Sequence, residues 1–135
     1  MSNHRTITFL LNDMVFEYDE DKNRLNIKKH GISFKTAARV FFDYDRIEFF
    51  DEMNSYDEDR FDVIGSTSAG AAFQSDNRTI GSLSSFPNSA DEVLYVVYTE
   101  RKYLGEKHKQ RFVTRIISAR LATSFERGLY YGKQG

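Results

Sequence analysis

Two stretches in the second half of the chain, Val93 to Thr99 and Arg111 to Ala119, constrain the fold more than any other feature. Both are rich in Val, Ile, Tyr and Phe, the residues that fit a pleated surface. Apolar side chains fall on both faces of each, the pattern of central strands in a covered sheet. A chain with such a pair must build a sheet and find elements to cover it. Val15-Phe16-Glu17-Tyr18 alternates as a short strand. Ile47 to Phe50 and Arg60 to Ile64 read as two more, separated by the acidic segment Asp51 to Asp59. The charged stretch Arg101 to Lys109 reads as the loop of a long hairpin.

Covering helices are signalled by their ends. Asp19 is placed to cap a helix over 20–30, with Glu20 and Asp21 in the first turn and Lys28, Lys29 and His30 in the last. Gly31 supplies a left-handed stop. Ser33 caps a second helix over 34–42, in which Phe34, Ala37, Ala38 and Phe41 form one buried stripe. Thr123-Ser124-Phe125-Glu126 is a capping box that opens a short last helix, weakened by Gly128 and ended by Gly132. The expected fold is α+β: two N-terminal helices packed on a mainly antiparallel sheet of about four strands, with a short C-terminal helix.

The 135 residues suit a single domain spanning 1–135. Within it, residues 1–14 read as an N-terminal extension. Ser66 to Ala90 reads as an inserted loop between paired strands, with seven serines and the only proline of the chain. Such a stretch is long for a compact domain. It buries little apolar surface, so shortening it is expected to be tolerated. Cysteine is absent, which excludes disulfides, thiolate metal sites and a thiol nucleophile. No apolar run is long enough for a membrane span, and Met1 to Asn12 lacks the features of a signal peptide. A cytoplasmic protein is the expectation.

The net charge of −1 conceals a strong division: residues 43–62 carry −7 and residues 93–135 carry +6. Asymmetry of this size points to a basic face for an anionic partner, or to a solvated basic element. The nucleotide-binding, zinc-protease and serine-hydrolase signatures are missing. His4, His30 and His108 have no common metal spacing, and no metal or other cofactor is expected. What remains is cationic. Arg115 lies inside an apolar strand, where a guanidinium needs a carboxylate such as Glu58 or Glu100, or the border of a cleft. Strand period places Arg111, Arg115 and Ala119 on one face and Arg120 on the other. Tyr95, Tyr98 and Tyr103 are candidates for base stacking or for the core.

The stretch Phe16-Glu17-Tyr18-Asp19, with Lys22, Asn23, Asn26 and then Lys29-His30-Gly31-Ile32-Ser33-Phe34 and Ala37, resembles the opening of the BrnT family of type II toxins. Asp59-Arg60-Phe61-Asp62-Val63-Ile64-Gly65 follows in the expected place. Arg115-Ile116-Ile117-Ser118-Ala119-Arg120, then Ala122-Thr123, Glu126 and Tyr130, resembles the family's closing motif. The resemblance implies a RelE-like fold and a small ribonuclease that inhibits translation. It also implies an antitoxin partner of ribbon–helix–helix type, in a hetero-oligomer, and an RNA substrate.

Metal-free RNA cleavage needs a base, an acid and cations around the phosphorane. Histidine as a residue type suits the proton transfers. The catalytic candidates are His30, Glu100, Arg115 and Arg120; the RNA-binding candidates are Lys29, Arg60 and Arg101. The competing expectations are a non-catalytic module that binds nucleic acid or protein, and a toxin inactivated by its insertion.

Overall fold

The computed structural model describes residues 5–68 and 92–132. Its centre is a six-stranded sheet of β1 (Thr6–Leu11), β2 (Met14–Asp19), β3 (Ile47–Phe50), β4 (Phe61–Ser66), β5 (Val93–Leu104) and β6 (Gln110–Leu121). The spatial order is β1-β2-β6-β5-β4-β3. The expected α+β class holds, but the sheet is larger than the four strands expected and is mixed. All neighbours are antiparallel except β2 and β6, which run parallel with Glu17 beside Arg115.

β1 is the strand that sequence reading did not anticipate. Thr6 to Leu11 pair residue by residue with Asp19 to Met14, so part of the expected extension is an edge of the sheet. Phe9 stacks on Phe16 at 5.3 Å between ring centroids, which gives β1 an apolar anchor. At the far end of the sheet, β5 and β6 pair through Leu104 and Gln110, so the expected loop from Arg101 shortens to residues 105–109.

α1 (Glu20–His30) begins at Asp19, whose carboxylate accepts from the Asp21 and Lys22 amides, and stops at Gly31 with φ of 72°. Its buried positions are Asn23 and Asn26, not apolar residues. The Asn26 side chain donates to the Ala119 and Ile32 carbonyls at 2.7 and 2.9 Å and accepts from the Ala119 amide at 3.1 Å. Beyond its short pairing with β2, β6 has an open edge there, and this carboxamide takes the place of a neighbouring strand. Asn23 accepts the Phe34 amide at 2.8 Å and ties α1 to the next helix.

α2 (Phe34–Ala37) is shorter than the helix expected over 34–42. From Ala38 to Phe42 the coil tightens to a 3-10 helix, where Val40, Phe41 and Phe42 are weak α-helix formers. The expected stripe is nonetheless buried: Phe34, Ala37, Ala38 and Phe41 join Phe16, Tyr18, Val63, Val96, Tyr98 and Ile116 in the main core. α3 (Ser124–Gly132) opens with the expected capping box, Thr123 and Glu126 exchanging backbone-to-side-chain bonds of 2.9 and 3.2 Å. It covers a second, smaller cluster of Ile64, Val93 and Tyr130. Buried Asp43 fixes this corner by accepting the Tyr130 hydroxyl at 2.6 Å and the Ser66 amide at 2.8 Å.

The insertion expected over 66–90 lies largely outside the described residues. Its described start corrects the boundary, because Ser66 belongs to β4 and Thr67 is buried. The β4–β5 ladder ends at Ser66 and Val93; one more bond, from the Thr67 amide to the Glu92 carbonyl at 3.1 Å, holds the two chain ends together as residues 67–68 turn helical. A turn of about four residues closes such a ladder without strain. Replacing residues 69–91 by such a turn is therefore expected to keep the fold. The melting temperature should move by less than about 4–8 °C, the equivalent of ~1 kcal/mol. Loss of cooperative unfolding in the shortened chain would contradict this.

Candidate functional site: an arginine face on the sheet

The strand alternation of β6 breaks once. Val97 pairs with Ser118 and Tyr98 with Ile116, so Ile117 is an extra residue in the ladder. A bulge of this kind re-aims every side chain beyond it. Ile116 and Ala119 both enter the main core, whereas Arg115 and Arg120 both point to the opposite face. The sequence expectation is thus corrected at two positions. Arg120 shares the face of Arg115, and Ala119 does not.

Three guanidinium groups on this face, those of Arg101, Arg115 and Arg120, are held by carboxylates. Arg115 Nη1 donates to Glu17 Oε2 at 2.8 Å, with the Glu17 side chain only 5% exposed. The parallel β2–β6 register supplies this partner, in place of the Glu58 or Glu100 expected from sequence. The Tyr103 hydroxyl donates to the same Glu17 at 2.9 Å. Arg101 approaches Glu17 at 3.7 Å and makes its closest contact, 3.2 Å, with Glu58. Arg120 is bidentate to Glu126 at 2.8 and 3.0 Å, a geometry that fixes a planar fork. This ion pair raises the pKa of Arg120 and lowers that of Glu126.

Arg120 also stacks over the Tyr95 ring at 4.3 Å. The Tyr95 hydroxyl donates to Asp62, an aspartate that is 3% exposed. Burial raises the Asp62 pKa to about 6, the Tyr95 hydrogen bond partly opposes the rise, and nearby Asp51 adds to it. Burial and the Asp62 contact in turn raise the pKa of Tyr95. A carboxyl group that titrates close to neutrality thus lies beneath the Arg120 end of the face. Because the folded state binds this proton more tightly than the unfolded chain, stability should fall as pH rises from about 4 through 6. The folded pKa of about 6 against an ordinary 3.8 makes the expected loss on the order of 3 kcal/mol. Asp62→Asn should flatten that slope, as read from urea midpoints between pH 4 and 7. An unchanged slope would assign the titration to another group.

The other candidates lie apart. Glu100 sits opposite Thr114 on the core side of the sheet and accepts its hydroxyl at 3.5 Å, on the face away from the arginines. His30 and Lys29 are exposed at the end of α1, and no hydrogen bond or ion pair among the described residues joins them to the arginines. Arg60 is half-buried just before β4. Among the tyrosines, Tyr98 is a core residue that donates to Glu48 at 2.8 Å, while Tyr95 and Tyr103 belong to the arginine face. Sequence reading missed Glu17 as the partner of Arg115, Asp62 as the acceptor of the Tyr95 hydroxyl, and Glu126 as the partner of Arg120. The signal for the first two was available: each is a lone acid within an apolar strand.

The described residues contain no group of three His, Cys, Asp or Glu side chains placed to hold a metal, and no helix long and apolar enough to cross a membrane. Fold and face together define a small α+β domain whose sheet is packed by α1 and α2 on one side. On the other it presents a row of fixed guanidinium groups suited to an oxyanion. Over residues 18–74 the chain is similar to the family whose model is described as the ribonuclease toxin BrnT of type II toxin–antitoxin systems. The match spans the end of β2, both N-terminal helices, β3 and β4. β5 and β6, which carry the three arginines, follow it. No curated protein gives a significant match to the chain.

Proposed function

We propose that this chain is a metal-independent endoribonuclease toxin that cuts RNA in the cytoplasm, inhibits translation and is neutralised by a ribbon–helix–helix antitoxin. The family match supports the toxin class. The observation that carries the reading is the bulge at Ile117, which brings Arg115 and Arg120 to one face of the sheet. Guanidinium groups fixed by Glu17 and Glu126 offer their remaining N–H donors to a phosphate without reorganising, as stabilisation of a phosphorane requires. Arg101 extends the row, and Tyr95 and Tyr103 present ring surface beside it. His30 and Glu100 stay in the proposal as proton carriers to be tested, with Lys29 and Arg60 as contacts to flanking phosphates.

The test is inducible expression with and without the co-encoded antitoxin, scored for growth, together with cleavage of labelled RNA by purified protein in EDTA. Growth arrest, antitoxin rescue and EDTA-resistant cleavage are expected. One observation favours a second reading: Arg101, Arg115 and Arg120 each already have a carboxylate partner. That neutralised face also suits a non-catalytic binding module, or a toxin silenced by its insertion. RNA retained on the protein but never cut would select the module, and activity gained on shortening 69–91 would select the silenced toxin.

A further inference from the structure

We propose that the outer edge of β3, with the apolar groove beside Phe50, docks an extended lysine- or arginine-bearing segment of a partner protein. The segment adds to the sheet as a further strand. β3 ends the sheet, pairing with β4 from Ile47↔Ile64 to Phe50↔Phe61 and, among the described residues, with no strand on its other side. Edge strands of soluble proteins are normally blunted by charges, proline or bulges. This one is four residues long with a single charge, Glu48, and carries Phe49 and Phe50 in succession, so one ring stands on each face of the strand, 39% and 50% exposed. Phe49 packs against Tyr95 and Phe50 against Phe61. Both leave apolar surface at the rim.

The groove behind the edge has a volume of about 330 Å³ and is lined by Glu48, Phe49, Phe50, Phe61, Tyr98 and Glu100. Its walls are aromatic. Its polar groups are two carboxylates: Glu100, and Glu48, which accepts the Tyr98 hydroxyl at 2.8 Å and ion-pairs through its other oxygen with Arg46. A lysine or arginine side chain laid across Phe50 and Phe61 would bury its stem on the rings and bring its cation to Glu48 and Glu100. Backbone pairing along β3 would supply affinity and this groove the side-chain preference, as in other strand additions.

Charge selects among the possible occupants. Residues 43–62, which include β3 and its flanks, carry −7. Residues 69–91 of the same chain carry one arginine against two aspartates, so they match this site poorly. A second copy pairing β3 to β3 would set equal acidic segments side by side, a repulsive isologous contact. A cationic segment of a different protein fits. In a type II system the protein that must bind the toxin is the antitoxin, so the partner's identity, though not the surface, rests on the reading above.

The experiment titrates the full chain into fluorescein-labelled peptides of alternating lysine and valine, or alternating glutamate and valine, and follows anisotropy. The lysine peptide should bind and weaken with salt. The glutamate peptide should not bind. A Glu48→Gln/Phe50→Ala variant, shown folded by its circular dichroism, should bind the lysine peptide about tenfold or more weakly. Equal binding by wild type and variant, or by both peptides, overturns the proposal. So does lysine-peptide binding that appears only after 69–91 are shortened, or a dimer of the free chain that Phe50→Ala abolishes. No arm uses RNA, so failure of the ribonuclease reading would register separately, in the cleavage assay alone.

Discussion

Arg115→Ala is expected to remove RNA cleavage and to lower the stability of the fold at the same time. Its guanidinium lies 2.8 Å from a buried Glu17, and stripping one partner from a buried ion pair costs about 3–5 kcal/mol when nothing replaces it. Tyr103 and Arg101 remain near Glu17, which places the expected loss at the lower end of that range. The loss of one fixed charge-stabilising group should slow cleavage by roughly 10²–10³-fold. The two effects separate in a second variant. Glu17→Gln added to Arg115→Ala relieves the orphaned carboxylate, so urea midpoints should recover while cleavage stays lost. Arg120→Ala should give the opposite balance. Its pair with Glu126 is partly exposed, and such pairs contribute about 0–1 kcal/mol, yet cleavage should fall as far. Folded variants of both arginines that still cut at the wild-type rate would move the reaction off this face.

The largest expected effect on folding alone belongs to Asn26→Ala. Three hydrogen bonds of the buried carboxamide hold α1 against β6 and the chain after Gly31. Truncation leaves the Ala119 amide and two carbonyls unpaired, at about 1–3 kcal/mol for each buried group that water cannot reach. A loss of roughly 3–9 kcal/mol is therefore expected, comparable to the whole stability of a typical domain. Asn26→Asp should be nearly as damaging, because a carboxylate would face the Ala119 and Ile32 carbonyls with no N–H to offer. Urea unfolding followed by circular dichroism measures both. A loss below ~1 kcal/mol in each would show that the carboxamide does not carry the packing of α1.

The parts of this fold that were legible in sequence are those whose signals are local. Asp19, Gly31, Ser33 and the Thr123–Glu126 pair each announce a helix end within a few residues, and all four act as caps in the structure. β3, β5 and β6 were visible for the same reason, as runs of strand-forming side chains. β1 was not. Thr6 to Leu11 have an apolar patch, but their strand character depends on Phe9 finding Phe16 across the hairpin. The bulge at Ile117 was equally hidden, because it arises from the register between two strands and leaves no mark in either. With it went the face of Arg120. Glu17 and Asp62 stood in plain view as acids among apolar neighbours, yet their partners follow from a parallel pairing and a cross-strand contact that spacing along the chain cannot supply.

The parallel junction of β2 and β6 also sets an order of events during synthesis. Glu17 and Arg115 are 98 residues apart, and the strand that separates β2 from the rest of the sheet is the last of the six to be made. A nascent chain that has exposed β2, α1 and α2 holds Glu17 and Phe16 without the strand that buries them. Contacts this distant in sequence carry the closure entropy of nearly the whole chain and are late to form. The β5–β6 hairpin closes through a turn of only residues 105–109 and is expected to form quickly once emerged. The arginine face then assembles only as β2 docks on the completed hairpin, so a ribosome that stops short of β6 releases a fragment without it.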